Sequence, residues 1–187
     1  MKTYWLACHE DSPQSALNGI RVDISRRNER TLFAEFRALG DMSKVEWPGD
    51  QLLGHENWAR ANELWQHSCF ELFVRKPIGP EYAEVNLATN ARWAAYGFHS
   101  YRNGMCPVED LTLVKAVWRI QPRRVQLWAR LELPEEFRDG DWHLGLSAVI
   151  EETRGTKSYW ALAHPPGKPD FHHPTCFAAT LPPPEIT

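Results

Sequence analysis

Apolar and polar positions alternate along this chain in short runs. Val, Trp, Phe, Tyr and Leu recur at every second position, with Gly, Pro and Asn between the runs. A period of two over five to ten residues predicts strands. The pattern predicts them near Thr3–His9, Ile20–Arg26, Thr31–Leu39, Ser68–Arg75, Ala83–Thr89, Arg92–His99, Leu111–Ile120, Arg124–Leu133, His143–Glu152 and Ser158–Ala163, with a last one near Phe177–Leu181. Turn signals separate them: Asn18-Gly19, Pro77 with Gly79-Pro80, Asn103-Gly104, Pro122, Asp139-Gly140-Asp141 and Gly155. About ten short strands at this spacing predict an all-β fold, an antiparallel β-sandwich. Gly54–Leu64 departs from the pattern and reads as one or two helical turns or a long loop. Pro134–Phe137 reads as a single turn. Residues 1–181 are expected to form one β-sandwich domain, because 187 residues suit a single core. The Pro-rich tail, 182–187, should end the fold, since proline supplies no ladder donor.

Alternation also sorts side chains by face. In Tyr82–Asn90 the even positions Tyr82, Glu84, Asn86, Ala88 and Asn90 oppose Ala83, Val85, Leu87 and Thr89. In Ser68–Arg75 the set Phe70, Leu72 and Val74 opposes Cys69, Glu71, Phe73 and Arg75. If the two strands pair, Glu71 and the Glu84/Asn86 row share one sheet face. Trp65 and His67 have the parity of Glu71. Carboxylates accept hydrogen bonds from hydroxyls, and amides both donate and accept. An indole offers a flat apolar face to the C–H side of a pyranose. The row is therefore a candidate sugar-binding face, with Trp65 or Trp160 as its apolar half. The same alternation also arises on a sheet face that is simply solvated.

Composition narrows the function classes. The formal net charge of -3 gives no basic footprint for nucleic acid. No apolar stretch reaches the length of a membrane span, and the first residues form no secretory apolar run. The four cysteines, Cys8, Cys69, Cys106 and Cys176, are scattered and read as reduced thiols of a cytoplasmic protein. Nine tryptophans are many for this length; most should sit in the core, and one or two beyond its needs would point to a stacking site. No Gly-x-Ser-x-Gly elbow, dinucleotide fingerprint or phosphate loop occurs. Glu71 and Glu84 could flank a glycosidic bond, although the sequence fixes neither their separation nor their pKa. His164, Asp170, His172, His173 and Cys176 include zinc-ligand types without zinc spacing. They read rather as a loop held by hydrogen bonds, one that could close a rim of the ligand face and so give Asp170 and His172 a binding role.

A larger pattern carries a resemblance. Trp65-x-His67-x-Cys69-Phe70-Glu71-x-Phe73-Val74 is followed by Tyr82-x-Glu84-x-Asn86, Trp93-Ala94-x-Tyr96-x-Phe98 and Tyr101-Arg102-x-Gly104-Met105. Together with Ser158–Leu162 and His164–His173, this resembles the DOMON-like superfamily, in the branch related to family nine carbohydrate-binding modules and including small bacterial proteins of unknown role. The resemblance runs over roughly Asn57 to Leu181. It implies a sandwich whose concave face takes sugars in some members and haem in others. Carried onto this chain, it implies ligand-binding roles for Trp65, Glu71, Glu84, Asn86, Arg102 and Trp160. Haem-binding relatives use methionine with histidine or lysine, which would draw on Met105 with His99 or His172. No acidic run resembles the calcium-binding loops of the carbohydrate-binding modules.

The leading expectation is a non-catalytic domain binding a carbohydrate or similar polar small molecule. Its candidate residues are Trp65, His67, Glu71, Glu84, Asn86, Arg102, Trp160, Asp170 and His172. Catalytic and metal residues are not expected. No cofactor is expected either, with haem or a metal ion as the weaker possibilities. The alternatives are a haem-binding redox module, a glycan-acting hydrolase, or a partner-binding structural module with no small ligand.

Overall fold

A computed structural model describes residues 1–12, 15–49, 53–54, 57–76 and 78–184. Among these, fourteen strands occur and no α-helix. They are β1 (Lys2–Cys8), β2 (Leu17–Arg26), β3 (Thr31–Gly40), β4 (Leu53–Gly54), β5 (Ala59–Arg60), β6 (Cys69–Arg75), β7 (Tyr82–Ala88), β8 (Arg92–Phe98), β9 (Cys106–Pro107), β10 (Thr112–Gln121), β11 (Arg124–Glu132), β12 (Trp142–Glu151), β13 (Lys157–Ala161) and β14 (Ala179–Leu181). Each of the eleven longer runs seen in the sequence is a strand. The three that alternation missed are two-residue strands, too short to show a period.

The strands form two layers joined by one shared strand. The first runs β4-β10-β11-β3-β2-β1 and the second β1-β13-β12-β6-β7-β8-β5, while β14 adds to β12 and β9 to β8. Strand β1 belongs to both. Its Lys2–Leu6 stretch pairs with β2, and Ala7–Cys8 pair with β13. Among the described strands every pairing is antiparallel except the parallel β5/β8 contact. The sheet is thus continuous and curls back on itself.

The main core lies between the layers. Ile20, Val22 and Ile24 of β2, Phe36 of β3 and Leu127 of β11 meet Phe70, Leu72 and Val74 of β6 and Leu87 of β7, all fully buried. Phe36 and Phe70 stack across the gap at 5.0 Å. Trp118 of β10 is buried against Gly54. A Cβ on that glycine would lie 1.8 Å from the indole, so only glycine lets β4 close this edge.

The described part of Gly54–Leu64 is not helical. It holds β4's last residue and β5, followed by a 3₁₀ turn at Leu64–Gln66. His55 and Glu56 lie outside the described residues, as does the turn residue Pro77. The expected turn near Pro134 is a 3₁₀ turn at Glu135–Phe137. Residues 182–184 join no strand, and the last three residues lie outside the described set.

The outer face of the second layer departs from the solvated surface that alternation allows. Phe73, Tyr82, Ala94, Tyr96, Phe98, Val149 and Ala161 point outward, and Phe171 and Phe177 from the loop between β13 and β14 fold down on them. This makes a second apolar layer. It buries the polar row that the same face carries.

Candidate functional site

The floor of the site comes from adjacent strands. β6 and β7 pair with Glu71 opposite Asn86 and Phe73 opposite Glu84, so Glu71 and Glu84 are diagonal neighbours on one face. Across β6, Ser147 of β12 lies opposite Glu71. The row is buried: Glu71 is 3% exposed, Glu84 4% and Asn86 0%. Each carboxyl has local partners. Glu71 Oε2 accepts from Ser147 Oγ at 3.0 Å, and its Oε1 lies 3.5 Å from the Cys69 thiol. Glu84 Oε1 accepts from Asn86 Nδ2 at 2.7 Å.

Burial sets the proton affinity here. Loss of water pushes Glu71 up to about 8, and the neighbouring Glu84 charge adds to the shift. Burial pushes Glu84 up to about 7, against the hydrogen bond from Asn86 and the positive field of Arg102. Near neutrality the pair therefore holds on to protons. Cys69, beneath it, is raised well above the ordinary thiol range by burial and by the Glu71 charge, which makes it an inert thiol.

A hydrogen-bonded chain links this floor to the rim. The Arg102 backbone N–H donates to Tyr82 Oη at 3.2 Å, and Tyr82 Oη is 2.8 Å from His172 Nδ1. Burial holds the phenol up at about 12, so it keeps its proton and can give it to Nδ1. The His172 Nε2–H then faces Glu84 Oε2 at 3.7 Å. That contact is too long for a hydrogen bond. Nor is it an ion pair at neutral pH, because burial and Arg102 push His172 down to about 4 while Glu84 is pushed up.

The β8–β9 turn presents Arg102 in a left-handed conformation, φ 53°, and Gly104 follows at φ 73°. At Gly104 a Cβ would lie 2.3 Å from His99, so this turn needs its glycine twice over. The Arg102 guanidinium bonds Asp170 Oδ1 at 2.8 and 3.2 Å, and Tyr101 Oη also donates to Asp170. Burial alone would raise Asp170, but the bonds from Tyr101 and Arg102 hold it below the usual carboxylate range. The ion pair fastens the β13–β14 loop to the β8–β9 turn.

Between these parts lies a cavity of about 490 Å³. Glu71 and Glu84 stand in its floor, and Trp65, Phe98, Tyr159 and Phe171 supply apolar wall. Arg102, Lys157, Gln66, Met105 and His172 also line it, with Val149 and Pro169. Trp65 is held edge-on by Tyr96 at 5.7 Å.

Five of the nine candidate residues thus share one cavity: Trp65, Glu71, Glu84, Arg102 and His172. Two more support it from behind, Asn86 through Glu84 and Asp170 through Arg102. Two lie elsewhere. Trp160 points the other way from β13, 6% exposed in the main core, with its indole N–H on Ser158. His67 pairs with Glu151 at 2.7 Å and lines a separate cleft with Trp47. The parity argument failed for it because Leu64–Gln66 is a 3₁₀ turn, not a backward extension of β6.

A search for known family patterns finds none that matches this chain, and no curated protein matches it. Solved structures do match it. A "putative carbohydrate-binding protein" from Bacteroides uniformis superposes with a TM-score of 0.62 at 12% identity, over 97% of this chain and 85% of that one. At that identity the likeness is one of fold.

Sequence reasoning missed Tyr159, Phe98, Lys157 and Phe171. Tyr159 was within reach, since it alternates with Trp160 and the choice between them is the choice of sheet face. Phe171 was not, because a loop carries no period. The remaining histidines of that loop disperse. His164 Nε2 contacts Ala7 O, and His173 caps the turn at Pro174–Cys176. Among the described residues no group of three or more His, Cys, Asp or Glu side chains is placed to hold a metal ion.

Proposed function

We propose that this chain is a DOMON-like ligand-binding domain that takes a carbohydrate in the cavity over β6 and β7. One observation carries the reading: two buried carboxyls, Glu71 and Glu84, stand in the floor of a cavity walled by Trp65, Phe98, Tyr159 and Phe171. A pyranose needs both halves of this arrangement. Its hydroxyls donate to carboxylate oxygens and accept from protonated carboxyls, while its C–H faces pack on rings. Arg102 adds a planar fork of donors at the rim. The fold likeness to the Bacteroides protein supports the same reading.

Titration calorimetry with a panel of mono- and oligosaccharides tests it. Saturable binding is expected, weakened about tenfold or more by Trp65→Ala, the loss of one stacked ring. Absence of binding by every sugar at millimolar concentration would overturn the reading.

A further inference from the structure

The charge in the cavity is unevenly placed. Among the described residues Glu84 Oε2 has no partner nearer than His172 Nε2 at 3.7 Å, and that imidazole is pushed toward its neutral form. Glu71 accepts from a hydroxyl and a thiol, neither of them a cation. Arg102 reaches both carboxyls through its field alone, because its guanidinium is bonded to Asp170. Lys157 donates to the Gln66 carbonyl at 2.5 Å. Two adjacent buried carboxyls therefore face the cavity with no cation among the described residues in contact. Ionising a carboxyl there is expensive without a counter-charge, which makes the floor a place that a ligand cation can occupy.

We infer that the sugar this cavity prefers is an amino sugar, whose protonated amine sits on Glu71 and Glu84 while its ring packs on the aromatic wall. The inference rests on the sugar reading above and names the substrate class of that site. An ammonium offers three donors, enough for both carboxyls at once. The surrounding rings favour a cation electrostatically, where a neutral hydroxyl gains nothing from them. The balance of protons follows. In the empty cavity below neutrality both carboxyls hold protons, and the arriving ammonium displaces one of them to solvent, leaving one carboxylate and one protonated carboxyl around the amine. The titratable and charged groups facing the pair are Cys69 on β6, Tyr82 on β7, Tyr96 on β8, Lys157 and Tyr159 on β13, and Arg102, Asp170 and His172 on the loops. Of these, Cys69, Tyr82 and Tyr96 are pushed up and His172 and Asp170 down, away from neutrality.

The test is calorimetry on the unaltered protein at about pH 6.5, below the raised pKa of both carboxyls. Glucosamine, glucose, N-acetylglucosamine and methylamine are compared in two buffers of different ionisation heat. Glucosamine is expected to bind about tenfold or more tighter than glucose or N-acetylglucosamine, with release of up to about one proton. Glu84→Gln is expected to abolish that preference, so that glucosamine binds this variant no more tightly than glucose does. Equal affinity for the three sugars, or no proton release, overturns the amine inference and leaves the sugar reading standing. Methylamine binding as tightly as glucosamine sinks the sugar reading and keeps the cation site. Silence from all four ligands overturns both.

Discussion

Glu71 and Glu84 are the residues on which most depends. Both are held protonated by burial, and the sign of the consequence can be worked out. A carboxyl whose pKa is raised by folding, here from an ordinary 4.5 to about 8 and about 7, contributes fully at low pH and loses that contribution as pH rises through the folded values. His172 acts in the opposite sense. Its lowered pKa favours the fold at higher pH, and its contribution is complete above about 6.5. The two effects oppose each other in the acid range, and only the carboxyls remain above it. The unfolding free energy is therefore expected to fall between about pH 6.5 and 8, by up to about 1.4 kcal/mol per pH unit for each extra proton the folded state binds, and the melting temperature falls with it. Glu71→Gln and Glu84→Gln should each flatten that slope, measured by thermal melts across the window. A variant slope equal to the parent's would refute the assignment. At the rim the expectation differs. The Arg102–Asp170 pair is partly exposed, so Arg102→Ala should cost under about 1 kcal/mol of stability, read from urea unfolding. Its cost to sugar affinity should be larger, since it removes a donor from the cavity.

At the scale of the element, strand parity decides which tryptophan does what. Trp160 and Tyr159 are adjacent on β13 and point to opposite layers. Trp160→Ala removes a buried indole from the main core and should cost about 3–5 kcal/mol, measured by chemical denaturation. Trp65 is half-buried on a short 3₁₀ turn, and its loss should leave stability within about 1–2 kcal/mol while weakening binding. If Trp160→Ala instead left stability intact and removed binding, the faces of β13 would be reversed. Much of this level was legible beforehand. Eleven strands announce themselves by alternation, because each has one face on a core. The shared parity of Glu71, Glu84 and Asn86 was legible for the same reason. His67 and Trp160 were misplaced where that reasoning was stretched, across a 3₁₀ turn in one case and between adjacent residues in the other.

At the scale of the whole molecule, the decisive feature was not local. From sequence alone, a polar row on an outward sheet face reads as a binding face or as a solvated one. It becomes a buried floor because the loop after β13 returns with Phe171, His172 and Phe177 and is pinned by Asp170 to Arg102 on a distant turn. That closure joins residues about seventy positions apart, and no period in the sequence marks it. The same closure raises the carboxyl pKa values, so the site's chemistry is a property of the tertiary fold. Weakening the latch should open the floor to water. Asp170→Asn is expected to lower the apparent pKa of the Glu71/Glu84 pair, followed by carboxyl-resolved NMR titration, and an unchanged value would separate loop closure from burial.

The central claim is that a sugar occupies the cavity beside Trp65. The most direct measurement is the indole N–H region of a proton–nitrogen NMR spectrum during a sugar titration, with the Trp65 signal assigned from Trp65→Phe. A saturable shift of the Trp65 resonance is expected, with the core indoles of Trp118, Trp142 and Trp160 unmoved. A Trp65 signal that stays fixed while sugar binds elsewhere, or through millimolar sugar with no binding at all, would contradict it.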